Sequence, residues 1–243
     1  MAGLLDLPNV SGRVPVMVFV PGSGTSTKEA DREAVDIAVP QGIAVFRYDK
    51  RGLGQSTGTF VEVTTANSAQ VLADRASDVS AIVNYLATHA RVNPSRIFLW
   101  GTSQGAWVAP LVAAQNNRVA FIINVSGGGS PVGTVIEYER QGRDASLSIA
   151  EITSRAAAYT GPFGYDPIET LRSLTIPVLW IYGGQDRNTP STLDIARLQQ
   201  LNKQNFTTRL YPRMNHDMRD VDTNTYPAML FPEMLAWATP FIR

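Results

Sequence analysis

Between Arg96 and Trp107 the chain reads Arg-Ile-Phe-Leu-Trp-Gly-Thr-Ser-Gln-Gly-Ala-Trp, and few folds accommodate that order. An apolar run of β-formers enters the pentapeptide Gly101-Thr102-Ser103-Gln104-Gly105. A small, apolar, helix-prone segment from Ala106 to Ala114 leaves it. The pattern predicts strand, sharp turn and helix in immediate succession. Glycines at 101 and 105 remove side chains where strand and helix crowd together. Ser103 is then pushed to the apex of a strained turn, with its hydroxyl exposed at a helix N-terminus.

The pentapeptide alone is a weak signal, because Gly54-Gln55-Ser56-Thr57-Gly58 fits the same spacing. Context separates the two. Ser56 sits in a Gly-rich loop and is followed by Thr59-Phe60-Val61-Glu62-Val63, which does not read as a helix. Turn chemistry accounts for Ser56. Ser103 is the candidate nucleophile.

Composition closes off several classes. A chain of 243 residues with 44% hydrophobic and 17% charged side chains can bury one large core. Lysine plus arginine and aspartate plus glutamate balance at 21 each, so charge points to neither nucleic acid nor an anionic membrane surface. With no cysteine there is no disulfide, thiolate metal site or cysteine nucleophile. The N-terminal stretch Met1 to Pro8 lacks the basic and long apolar regions of a secretory signal, and no stretch is long and apolar enough to span a membrane. The expectation is a soluble, cytoplasmic or similar protein; oligomeric state is not legible.

In chain order, strands are expected at Gly3–Leu7, Val14–Val20, Ile43–Tyr48, the run entering Ser103, Val119–Val125, Ile176–Tyr182 and Phe206–Tyr211. Helical patterns fall at about 27–38, 67–90, 106–114 and 226–238. Another begins near Thr189-Pro190, with Thr189 as the expected N-cap. Asn93-Pro94-Ser95 is expected to break the chain before the Ser103 strand. Strands alternating with helices argue for a mostly parallel, doubly wound α/β sheet in one domain over 1–243. A strand-poor insertion at about 130–174 reads as a small helical cap. Functional groups are then expected beyond the carboxyl ends of the strands.

A serine hydroxyl needs a base, usually histidine held by a carboxylate. The chain has two histidines. His89 ends a helical pattern upstream of Ser103 and reads as a helix-end residue. His216 follows the last strand and is the candidate base. Asp186 follows the strand at 176–182 and is the candidate acid. Asp166 and Asp194 are weaker, lying in the insertion and inside a helix, and Asp217 and Asp220 come too late in the chain. Gln104, directly after the nucleophile, offers one backbone N–H to an oxyanion.

The order Ser103, Asp186, His216 and the alternating elements resemble the α/β-hydrolase superfamily over nearly the whole length. Within it, Arg47-Tyr48-Asp49-Lys50-Arg51-Gly52-Leu53-Gly54-Gln55-Ser56 resembles the Tyr-Asp-x-Arg-Gly-x-Gly-x-Ser loop of bacterial carboxylesterases, acyl hydrolases and serine aminopeptidase-like members. The resemblance implies an α/β-hydrolase fold and gives Asp49 and Arg51 a supporting role. Pro21-Gly22-Ser23-Gly24 resembles the family's His-Gly-x-Gly loop with proline in place of histidine, which makes Ser23 the second backbone donor. Relatives often carry one or two further strands ahead of the point where this chain starts.

The expected chemistry is cofactor-free, metal-free hydrolysis of small carboxylic esters, with short to medium acyl chains, through an acyl-enzyme. Tyr138, Tyr159, Phe163 and Tyr165 of the insertion are expected to supply a pocket wall, and Trp107 to pack into the sheet. The same residues would serve an aminopeptidase, amidase or thioesterase. For a peptidase the insertion offers Glu137, Glu139, Asp144 and Glu151 without a telling pattern. A homologue that binds ligand without catalysis is the alternative from outside enzymes.

Overall fold

The protein is described by a computed structural model over residues 1–242. Seven strands form one sheet: β1 (Gly3–Asp6), β2 (Val14–Val20), β3 (Ala44–Tyr48), β4 (Val92–Thr102), β5 (Val119–Val125), β6 (Val178–Gly183) and β7 (Phe206–Tyr211). Their spatial order is β1-β3-β2-β4-β5-β6-β7, all parallel except β1, which runs antiparallel to β3. The α/β-hydrolase fold expected from the sequence is therefore the one observed.

Both faces of the sheet are covered, which is why the inner strands are apolar almost throughout. On one face Val16, Val18, Leu99, Ile122 and Trp180 pack against α2 (Ser68–Thr88) and α3 (Gly105–Gln115), with Leu198 of α7 (Ser191–Gln200) at the edge. On the other, Met17, Phe98, Phe121, Ile123 and Leu179 pack against α1 (Arg32–Ala38) and α8 (Leu230–Ile242). Phe98 stacks on Phe121 with ring centroids 4.4 Å apart, and Trp237 and Phe241 of α8 close over them. Truncating one such buried side chain to alanine removes about 2–5 kcal/mol.

Residues 130–174 contain three helices and no strand: α4 (Val132–Gly142), α5 (Ile149–Ala157) and α6 (Ile168–Ser173). Tyr138, Leu147, Ile152 and Ala156 form a small core of their own. Ser148 and Glu151 cap α5 reciprocally, which fixes where that helix starts.

Several boundaries differ from the sequence reading, each for a local reason. Asn93-Pro94-Ser95 lies inside β4. Between the pairs Val14↔Val92 and Val16↔Ile97 the register shifts, so these residues bulge out opposite Pro15, which has no N–H to pair. The first helix starts only at Arg32, because Asp31 adopts a left-handed conformation with φ 57°. The closing helix runs later than expected, and α7 starts at Ser191, one residue beyond Pro190. Thr189 does not cap it: its hydroxyl is used elsewhere.

Candidate active site

Ser103 stands where β4 turns into α3, with φ 52°. Left-handed backbone is unfavourable for a residue with a Cβ, so its neighbours must hold it. They do: the Ser103 N–H donates to the Val125 carbonyl at 2.8 Å, and its own carbonyl accepts from Ala106 N–H at 2.9 Å. A Cβ at position 101 would lie 2.6 Å from both Asn124 Oδ1 and the Gly105 carbonyl oxygen. One at 105 would drive into the Val20 carbonyl. The two glycines thus let α3 pack close under the turn.

Asp186 follows β6 and is 1% exposed. A buried carboxylate is tolerable only when its oxygens are satisfied. Here Oδ1 accepts from the Asn188 and Thr189 N–H groups at 2.7 and 2.9 Å, and Oδ2 from the Thr189 hydroxyl at 2.6 Å. Oδ2 also lies 2.9 Å from His216 Nδ1. Above the loop, the Tyr138 hydroxyl donates to the Asp186 backbone carbonyl at 2.8 Å, tying α4 to the acid.

His216 lies in the loop after β7. Its backbone carbonyl accepts from the Ser126 hydroxyl at 2.7 Å, and the loop is closed by Asn215 Oδ1, which accepts from the Asp217 and Arg219 N–H groups. Burial works against the imidazolium form. The Asp186 charge and hydrogen bond outweigh it, with smaller help from Asp217 and Glu139, so the His216 pKa is held above its ordinary value.

Ser23, Ser103, Gln104 and His216 all face one cavity of about 760 Å³. Trp107, Val132, Val135, Ile136 and Tyr159 give it apolar walls, and Arg75, Glu62, Glu139 and Arg143 lie on its lining. No hydrogen bond joins the Ser103 hydroxyl to His216 among the described residues, a looseness common in empty serine sites. The loop after β2 passes directly over the turn, since a Cβ at Gly22 would lie 3.2 Å from the Ser103 Cβ. Gln104 is the N-cap of α3, so its N–H has no partner within that helix.

The remaining expectations divide cleanly. Ser56 is buried, donating to the Asp49 carbonyl at 2.7 Å and accepting from Ala2 N–H, a structural use. His89 accepts from Arg91 N–H at the end of α2. Asp49 accepts from Lys28 and Gln55, and Arg51 pairs with Asp78. Asp194 is fully buried, accepting from Gly129 N–H at 3.0 Å. Of the insertion aromatics Tyr159 lines the cavity, whereas Tyr138 is buried behind Asp186. Trp107 both packs, donating its indole N–H to the Ser130 carbonyl at 2.9 Å, and contributes to the cavity wall. Glu139 is paired with Arg143, Glu137 with Arg140. Thr189, expected as a helix cap, and Tyr138, expected in a pocket wall, hold the Asp186 loop instead, and the sequence reading gave Ser126 and Lys50 no role of their own. Ser126 and Tyr138 grip backbone carbonyls, and so does Lys50, with Nζ on the carbonyls of Gly22 and Gly24; no spacing rule exposes such partners.

The comparisons agree with this fold. Residues 31–239 match the model of the prolyl oligopeptidase family. Esterase EstD of Thermotoga maritima is 25% identical across 90% of this chain, which spans 58% of EstD's length. Among solved structures, 2,6-dihydroxy-pseudo-oxynicotine hydrolase superposes over 99% of this chain and 64% of its own, with TM-score 0.69 and 17% identity. Est1E of Butyrivibrio proteoclasticus, solved with ferulic acid bound, covers 98% of this chain and 94% of its own, with TM-score 0.68 and 20% identity. At such identities the structures speak for the fold. The matched span of 31–239 includes the Ser103 turn, the Asp186 loop and the His216 loop, and the chain is a member of the prolyl oligopeptidase family.

Proposed function

We propose that this chain is a cofactor-free serine hydrolase of small carboxylic esters, with residues 130–174 acting as a helical cap on a single domain. One observation carries the reading: His216, held by Asp186, opens on the same cavity as a strained, half-buried Ser103. Ser103 Oγ attacks the ester carbonyl while His216 Nε2 takes its proton. Asp186, bound at Nδ1, keeps the ring in the right tautomer and stabilises the imidazolium. The oxyanion is held by the N–H groups of Gln104 and Ser23. The imidazolium protonates the departing alcohol, leaving an ester on Ser103. Water, deprotonated by His216, then releases the acid. A cavity of about 760 Å³ suits a substrate of short to medium acyl length. EstD, named an esterase, points the same way.

A peptidase or amidase reading is favoured by the family's own name, and the same acyl-enzyme would serve it. The test is hydrolysis of p-nitrophenyl esters from acetate to laurate beside aminoacyl p-nitroanilides, with wild type, Ser103→Ala and Ser56→Ala. Ester turnover that falls with chain length and disappears only in Ser103→Ala supports the proposal. Dominant anilide cleavage transfers it to the peptidase reading. Full turnover in folded Ser103→Ala removes the nucleophile assignment altogether.

A further inference from the structure

The loop that carries Ser23 is unusual in what its own sequence permits. Ser23 is flanked by Gly22 and Gly24, and Gly24 has φ 80°. Glycines on both sides leave the intervening peptides free to rotate, so the local sequence does not decide which way the Ser23 N–H points. Something outside the loop must.

Lys50, two residues past the end of β3, reaches under it. Nζ donates to the Gly22 carbonyl at 2.9 Å and to the Gly24 carbonyl. The Gly22 carbonyl and the Ser23 N–H belong to one peptide group. In a planar trans peptide these two bonds point in opposite directions. Holding the oxygen toward Lys50 therefore aims the N–H away from it. Ser23 lines the Ser103 cavity, Lys50 does not, and Gly22 abuts Ser103. The hydrogen that results faces the side on which the oxyanion would form.

We propose that Lys50 is the positioning residue of the oxyanion site, its ammonium clamping the Gly22 and Gly24 carbonyls so that the Ser23 N–H faces the Ser103 cavity. The inference rests on the hydrolase reading above and adds what holds its second donor. The surroundings fit a cation kept for this purpose. Lys50 is 4% exposed and has no carboxylate partner within ion-pair distance among the described residues. The Phe60 ring, 5.5 Å from Nζ, is its apolar cover. Burial, with Arg75 nearby, pulls its pKa down to about 8, so the group remains largely charged at neutral pH. A cation on the carbonyl end also polarises the peptide and strengthens its N–H as a donor.

Removing one oxyanion donor lowers kcat by about 10²–10³-fold, and releasing it to rotate is expected to cost about 10–100-fold. Lys50→Met should lose kcat by that factor with KM within about threefold and should bind phenylboronic acid correspondingly more weakly. Because the chain has no native cysteine, Lys50→Cys can be alkylated with bromoethylamine to rebuild an ammonium on a stem of the same length. Wild type carried through the same unfolding, alkylation and refolding is the control. The aminoethylated protein should recover most of kcat and boronate affinity, and Lys50→Gln, with a shorter neutral donor, should fall between. Folded Lys50→Met with kcat within about threefold of wild type overturns the clamp. So does a loss that aminoethylation fails to restore. If Lys50→Met does not fold, Lys50→Gln and the alkylated cysteine decide the question by the same two readouts. Wild-type turnover that depends on Ser103 but ignores Lys50 sinks the clamp alone. Wild type that neither turns over esters nor binds the boronate sinks both readings.

Discussion

Asp186 Oδ2 and His216 Nδ1 lie 2.9 Å apart, and the same oxygen accepts the Thr189 hydroxyl at 2.6 Å. The carboxylate is thus held by four donors, with one oxygen turned to the imidazole. Asp186→Asn keeps the shape but replaces an oxygen by N–H or forces the wrong tautomer on His216. Ester kcat should fall by about 10³–10⁴-fold. Thr189→Val, which removes one of the four donors, should cost about 10-fold or less, through a looser carboxylate. Steady-state kinetics on the two variants reads the difference. A Thr189 effect as large as that of Asp186 would contradict the assignment of roles.

The same pair sets the pH dependence. A general base works only as neutral imidazole, and Asp186 holds the His216 pKa above its usual 6.5 despite burial. Activity should then fall on the acid side with a kcat/KM midpoint above 6.5, and the midpoint should drop in Asp186→Asn. Stability moves oppositely. A pKa raised by folding contributes stabilisation that is fully present below the unfolded value and is lost as pH rises through the folded one. The stability lost in His216→Gln should therefore be larger at pH 5.5 than at pH 9, as read by urea unfolding at each pH. An equal loss at both would show that the ring gains nothing from its charge.

Ser103, Asp186 and His216 are legible as candidates because each follows a β-rich run closely, and parallel strands bring their carboxyl ends to one edge whatever their separation in sequence. The strand pattern likewise anticipated β2, β5 and β7 to the residue. What stayed hidden is what binds backbone. Lys50 looks like one basic residue in a charged loop, and its partners are two carbonyls that any sequence would offer. Thr189 before Pro190 reads as a helix cap, yet its hydroxyl prefers a buried carboxylate to an N-terminal N–H. The long-range competitor wins because an unsatisfied charge in the interior is more costly than an uncapped helix end.

Asp194 is a second buried carboxyl, and its neighbours treat it differently. Burial pushes its pKa from 3.8 up to about 6, against the Gly129 N–H that favours the anion, and Asp186 adds to the rise. A carboxyl whose folded pKa is raised loses stability as pH climbs from its unfolded value through its folded one. Asp194→Asn keeps an acceptor for the Gly129 N–H and removes the ionisation. Relative to wild type, the variant should gain stability between pH 4 and pH 8, by about 2–3 kcal/mol, from a shift of about two units at 1.36 kcal/mol each. Unfolding at the two pH values measures it, and a constant difference would show that Asp194 ionises as freely in the fold as in the open chain.

Gly105→Ala tests whether close packing under the Ser103 turn is a matter of stability or of chemistry. Alanine is the better helix former by about 1 kcal/mol, so propensity alone would stabilise α3. Its Cβ, however, would meet the carbonyl oxygen and carbon of Val20, which are backbone atoms of a central strand and cannot rotate aside. Overpacking of this kind costs about 1–3 kcal/mol, so the net change should be destabilising. Relief requires α3 to move away from β2, and Gln104 and Ser103 sit at the end of that helix. The expected result is a Tm lowered by several degrees together with kcat reduced beyond what the folded fraction explains. A variant as stable and active as wild type would mean that the helix can shift without disturbing Ser103, and that the glycine is dispensable to the turn.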